Sequence, residues 1–352
     1  MAFQSLRSTI RVPRIRPRLT TTSQRSNSGS AESVWKLQNV EAAYWNDYIA
    51  TRPKYDAAIF DPIFKYHAIK NQNFDHALDV GTGAGSALNL LTSRFQRVVA
   101  SDNDTISLGF AKERYRHIPS SQLSWTVSKA EDLTQNHQPS SFDMITCALT
   151  FPLLDTHKTL DCFHSLLRPE GTLAIWFYGP PIFVRSAHAE KCQATLYAAL
   201  DHAFKPIVTG GGEQARANWK HAADGMASWL DYIPFSTKQW NNVLRHKWNN
   251  SKARLAFFGP DACDFEVEPE NAIGRTDTVV AEQIPDFWKV EWDIGMLKKF
   301  ILAIFPKPDH MQSADATMEA HFQTLEDAMG GKNTKSVLTW PVVLVLARKN
   351  SQ

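Results

Sequence analysis

The stretch His76-Ala-Leu-Asp-Val-Gly-Thr-Gly-Ala-Gly-Ser86 decides the fold. It reads as a buried strand that breaks into a glycine loop, and the loop opens a helix. Gly81, Gly83 and Gly85 fall on alternate positions directly after Asp79-Val80. That spacing lets backbone pass where a Cβ would collide with a ligand. In an open α/β sheet, ligands bind beyond the carboxyl ends of the strands, which is where this loop lies.

The third glycine narrows the ligand. A dinucleotide loop has Gly-x-Gly-x-x-Gly, but position 86 is serine and the third glycine comes one residue early. The Lys-Ser/Thr end of a phosphate-cradling loop is also missing. Asp79 leads the loop, and a carboxylate there repels a pyrophosphate but receives an amino group.

Outward from the loop, strands and helices alternate. Strands are expected at about 75–80, 97–102, 123–127, 142–149 and 171–178, with helices between them. Two helices precede them, at about 33–48 and 54–69. This alternation predicts a mostly parallel sheet covered on both faces. From Gly179 the alternation stops. Residues 180–290 hold a Gly210-Gly211-Gly212 run and Trp219, Trp229, Trp240, Trp248 and Trp288, with Trp292 just beyond, out of eleven tryptophans in the chain. This region is expected to be a helical cap inserted after strand five, with sheet character returning near Thr276–Gln283. Helices follow at about 293–305 and 313–329. Gly330-Gly331 stops the second one. The apolar run Pro341–Ala347 predicts a last strand buried on both faces. The expected division is therefore a head at 1–34, a cofactor-binding core at 35–179, a substrate cap at 180–290, and C-terminal helices with the last strand at 291–352.

Charge and cysteine usage exclude other classes. The net charge is +2, yet residues 1–34 hold six arginines and one acid, leaving −3 for the remainder. A nearly neutral body argues against nucleic acid as partner. No apolar run reaches the roughly 18 residues that span a bilayer. The arginine-rich, acid-poor head has the composition of a mitochondrial presequence or of a basic tail, so the expected location is cytoplasmic or mitochondrial. Cys147, Cys162, Cys192 and Cys263 show no paired spacing and read as reduced thiols, not a metal site.

Candidate site residues follow from the strand ends. Asp102 closes strand two and can accept both hydroxyls of a ribose. Asp132, beyond strand three, can accept the exocyclic amine of adenine. Ala148 ends strand four, where backbone would pass the reacting centre. The landmarks Tyr48-Ile-Ala-Thr-Arg-Pro-Lys-Tyr55, Asp79-Val-Gly-Thr-Gly-Ala-Gly85, Ser101-Asp102, Phe142-Asp-Met-Ile-Thr146, Leu166–Trp176 and Pro181-Ile-Phe183 together resemble class I S-adenosylmethionine-dependent methyltransferases of the trans-aconitate methyltransferase type. The resemblance implies a Rossmann-like seven-stranded sheet with the last strand antiparallel. It implies S-adenosyl-L-methionine as cofactor. It also implies that Arg52 and its aromatic neighbours fold over the cofactor's methionine end. One departure concerns the acceptor. Where that family commonly has His-Trp after strand four, this chain has Pro152-Leu153.

The expected activity is methyl transfer to a small molecule, O-methylation of a carboxylate or hydroxyl on a bulky, partly apolar acceptor. The lost His-Trp pair and the large cap leave an alternative, a scaffold that binds the cofactor without methylating. A nicotinamide-dependent oxidoreductase is a further alternative. A base would have to come from His188, His202, His221 or His246, or a carboxylate clamp from Arg216, Arg245, Arg254 or Arg275. Nothing in the sequence ranks them, and oligomeric state is not legible.

Overall fold

In the computed structural model, residues 42–185, 188–304 and 315–351 are described. The expected head at 1–34 and the start of the first helix lie outside them. Within them, α1 (Ala42–Thr51) and α2 (Ala57–Ala68) lead into β1 (His76–Val80), α3 (Leu88–Arg94), β2 (Arg97–Asp102), α4 (Thr105–Arg114), β3 (Leu123–Val127), β4 (Phe142–Ala148), α5 (Thr156–Leu166) and β5 (Leu167–Tyr178). Helix starts are set by side-chain caps. Asp56, Asp104 and Asp155 accept backbone N–H groups at the first turns of α2, α4 and α5.

Next come β6 (Ile182–Arg185), α6 (Ala189–Val208), α7 (Glu213–Ala227), β7 (Trp240–Trp248), β8 (Thr278–Glu282) and β9 (Val290–Trp292). The chain closes with α8 (Ile294–Leu302), α9 (Ala316–Met329), β10 (Ser336–Thr339) and β11 (Val342–Lys349). Gly330, at φ 95°, ends α9 in the left-handed region.

The main sheet has eight strands in the order β3-β2-β1-β4-β5-β11-β7-β8. All run parallel except β11, which is antiparallel to both β5 and β7. The reversed last strand is as expected, and the sheet has one strand more than seven. β6, β10 and β9 form a small antiparallel sheet.

The expectation of a helical cap at 180–290 needs correction in extent. That segment supplies α6, α7 and, where sheet character was expected, β8, but it also supplies β7, and both strands extend the main sheet. The alternation of β7 is disguised because its inward-facing positions include charges. Arg245 is fully buried, pairs with Asp277 at 3.0 Å, and donates to the carbonyls of Leu230 and Ile233. Lys247 pairs with Asp231. Buried charges persist only when paired in this way. The tryptophans follow the same correction. Trp219, Trp240, Trp248, Trp288 and Trp292 are buried in the core, and Trp229 is half-buried. Most of the indoles therefore hold the fold together and are not free to line an acceptor cavity.

Candidate active site

The three glycines of the loop after β1 all have positive φ, at 67°, 52° and 80° for Gly81, Gly83 and Gly85. Their surroundings differ. A Cβ at Gly81 would lie 2.2 Å from Thr150 Oγ1, and one at Gly85 would lie 2.8 Å from the Tyr115 ring. The Tyr115 hydroxyl donates to the Gly85 carbonyl at 2.8 Å. Gly81 and Gly85 are thus required by packing against the protein itself. A Cβ at Gly83 meets nothing within 4 Å, so this glycine faces open space where a ligand can pass.

Two carboxylates lie by the loop. Asp79 is buried and accepts hydrogen bonds from the hydroxyls of Thr82 and Thr146, each at 2.7 Å. Burial outweighs those bonds and pushes its pKa up to about 6. Asp102 accepts from Gly83 N at 2.8 Å and from Asp104 N at 2.9 Å, and burial raises its pKa as well. It therefore fixes the apex of the glycine loop, while Asp104 is the cap of α4. Leu149, just after β4, has φ 60°, and Thr150 donates to the Ala148 carbonyl. Left-handed backbone at a bulky residue is costly and concentrates at functional sites.

A second cluster comes from the segment after α1. Arg52 is buried, with its guanidinium carbon 4.5 Å from the Tyr48 ring centroid, 5.4 Å from Phe257 and 5.5 Å from Phe300. Nη2 donates to the Ile304 carbonyl at 3.3 Å, while Nε and Nη1 are sealed from solvent, with the Tyr178 hydroxyl beside the guanidinium. Burial opposes the charge, but the hydroxyls of Tyr178, Tyr48, Tyr44 and Tyr55 outweigh it and raise the pKa. A buried guanidinium with donors to spare is expensive, and an anion is the partner that suits it.

Asp132 lies on a 3₁₀ turn, Ala130–Gln135, and is exposed. Its neighbour Glu131 is engaged by Asp155 N at 3.0 Å. Pro152 is buried in the turn Phe151–Leu153, which α7 covers. Of the cap histidines, His202 pairs with Asp315 and His246 with Glu282, while His221 reaches the loop after β4 at 3.2 Å from the Leu154 carbonyl. Arg216 and Arg254 are paired with Asp264 and Asp201, and Arg245 is sealed in the sheet. The residues that the sequence did not single out are Thr82, Thr146 and Tyr115. Thr146 becomes legible only once the pairing of β1 with β4 sets it beside Asp79, and Tyr115 only once α4 packs on the loop, whereas Thr82 stands three residues from Asp79 within the loop itself.

A methyltransferase domain family matches residues 78–175, the stretch from β1 to β5. Methyltransferase pgmE of Aspergillus terreus is 36% identical over 335 residues, covering 93% of this chain and 99% of the relative. The chain is a class I S-adenosylmethionine-dependent methyltransferase. Methyltransferase ptaI of Pestalotiopsis fici is 34% identical over 87% of this chain and 93% of its own length. Methyltransferase cfoB of Aspergillus candidus is 32% identical over 88% and 95%. The trans-aconitate branch is not what these relatives single out.

The cofactor of this methyltransferase is S-adenosyl-L-methionine, and the residues present suit it. An unfilled space above Gly83, the carboxylates of Asp102 and Asp79 by the loop and the buried guanidinium of Arg52 suit a ribose, an ammonium and a carboxylate. Among the described residues no helix is long and apolar enough to cross a membrane, and no group of three His, Cys, Asp or Glu could hold a metal ion.

Proposed function

We propose that this methyltransferase O-methylates a carboxylate or hydroxyl on a bulky, partly apolar small molecule. The observation that supports the reading is a buried guanidinium, Arg52, set among the rings of Tyr48, Phe257 and Phe300, with Tyr55 beside it in electrostatic reach of Asp79. Asp79 holds the cofactor's ammonium, Arg52 its carboxylate and Asp102 the ribose hydroxyls. Gly81, Gly83 and Gly85 shape the loop beneath. The exposed Asp132 receives the adenine amine, and the backbone at Ala148 passes the sulfur. Residues 35–179 thus serve the cofactor and residues 180–290 the acceptor, joined by 291–352.

The bound cofactor supplies a methyl group already activated by a sulfonium. The protein's part is to orient and to exclude water, and orientation supplies on the order of 7–11 kcal/mol in favourable cases. Tyr55, Tyr178 and Trp288 lie within 6.4 Å of one another at the end of β5. Such a cluster of buried rings keeps the site dry. A carboxylate acceptor needs no base; for a hydroxyl, His221 beside the loop after β4 is the available imidazole.

The test is turnover with a panel of phenols, aromatic acids and small polar acids, following S-adenosylhomocysteine and product mass. Methylated product from an aromatic acceptor, and its loss in Arg52→Met, supports the reading. Methylation of nitrogen or carbon, or a preference for small polar acids, overturns it.

A further inference from the structure

Trp288 is an unusual residue to find where it is. It is buried, yet its backbone is left-handed at φ 50°, a conformation that bulky residues avoid. The loop that carries it is fixed from several sides. Asn249, itself at φ 55°, accepts from Ile284 N at 2.7 Å and donates to the carbonyls of Ile284 and Trp340. The Thr339 hydroxyl donates to the Phe287 carbonyl at 2.7 Å, and Phe287 stacks on Trp248 with centroids 4.8 Å apart. Structure of this density around one strained residue calls for an account of what the residue does.

Its indole is committed at both ends. Nε1 donates to Asp56 Oδ1 at 3.0 Å, across 232 positions of sequence. The same oxygen accepts from Ala58 N as the cap of α2. The indole face stacks on Tyr55 at 5.7 Å and 30°, and its edge meets Tyr178 at 6.0 Å and 86°. Tyr55 also packs edge-on against Trp176 at 5.3 Å. Tyr55 stands three residues after Arg52, and its phenol lies within electrostatic reach of Tyr48, Tyr178 and Asp79.

We infer that Trp288 is a positioning residue for the cofactor site: pinned by Asp56, its indole holds Tyr55, and through Tyr55 the Arg52 turn, against the methionine end of the cofactor. The inference rests on the placement of the cofactor given under Proposed function. It accounts for a tryptophan at a strained position where both its N–H and its ring face are engaged. Phenylalanine can stack on Tyr55 but cannot reach for the carboxylate that sets the angle of the ring.

The test uses the full chain and S-adenosylhomocysteine as probe, in calorimetry below the lowest melting midpoint of the set. Asp56→Ser keeps a cap for α2 but is too short to reach the indole. Asp56→Asn keeps both contacts. Trp288→Phe keeps the ring and loses the N–H. Asp56→Ser and Trp288→Phe each weaken binding about tenfold, the scale of one hydrogen bond and its alignment. Asp56→Asn stays within about twofold of wild type, and the double variant is no weaker than either single change. The cofactor KM rises by the same factor, while kcat at saturation holds within about twofold. If Trp288→Phe and Asp56→Ser lower the melting midpoint but leave the affinity intact, or if Asp56→Asn is as weak as Asp56→Ser, the inference fails. Gly83→Arg is the control. Loss of binding there, with no loss in the Trp288 and Asp56 variants, sinks the inference alone. Unchanged binding in Gly83→Arg sinks the site placement and the inference with it.

Discussion

Acidification through pH 6 weakens cofactor binding, and Asp79 is the reason. Its carboxyl is buried and held by Thr82 and Thr146, with Asp102, Tyr55, Tyr115 and Cys147 as its other ionisable neighbours. Burial lifts its pKa from 3.8 to about 6. An ammonium is held by the ionised form only. One pH unit below the pKa about a tenth of the carboxyl is ionised, so affinity for S-adenosylhomocysteine at pH 5 is about tenfold below its plateau above pH 7. The linkage to folding has the opposite sign. A carboxyl raised in the folded state binds its proton more tightly there, so its stabilising effect is complete below 3.8 and is lost as pH rises through about 6. The full span of that loss is on the order of 3 kcal/mol, set by the size of the pKa shift. Asp79→Asn therefore unfolds at higher urea than wild type at pH 7, yet binds about 10–100-fold more weakly, the range for losing a charged hydrogen bond. Calorimetric titration from pH 5 to 7 reads the first effect and urea unfolding the second. The burial of Asp102 raises its pKa in the same direction, and the difference between wild type and Asp79→Asn removes its contribution. An affinity that is flat from pH 5 to 7, or that has the same slope in Asp79→Asn, refutes the reasoning.

Other outcomes follow from the same geometry. Gly83→Ala folds with a cost of only about 1–2 kcal/mol from its left-handed backbone, because its Cβ meets nothing, and it loses cofactor affinity in calorimetry. Gly81→Ala behaves in reverse order: the contact with Thr150 at 2.2 Å makes it the less stable of the two in thermal unfolding. Asp277→Ala strips the partner from the fully buried Arg245 and destabilises the chain by about 3–5 kcal/mol in urea.

The glycine loop and the five strands from β1 to β5 were legible because each is written locally. Apolar runs mark the strands, and the left-handed turn admits little besides glycine. The strand β7 was not legible in the same way. Along β7, Arg245 and Lys247 occupy inward positions where apolar residues are expected, and their partners Asp277 and Asp231 lie far off in sequence. Pairing of this kind is a property of the folded chain, so the segment read as cap. The tryptophans misled for a related reason, since an indole that packs a core and one that lines a cavity look alike in sequence. Asp132 was chosen over Glu131 by position alone, and the fold separates them, one exposed and the other held by Asp155 N. The strained backbone of Leu149 and Trp288 leaves no trace in composition at all.

A structure of the chain with S-adenosylhomocysteine tests the central claim most directly. It should place the ribose hydroxyls on Asp102, the ammonium on Asp79 and the carboxylate on the guanidinium of Arg52, with the chain passing over Gly83. A ligand found elsewhere, or one bound here with Arg52 and Asp79 both untouched, would contradict it.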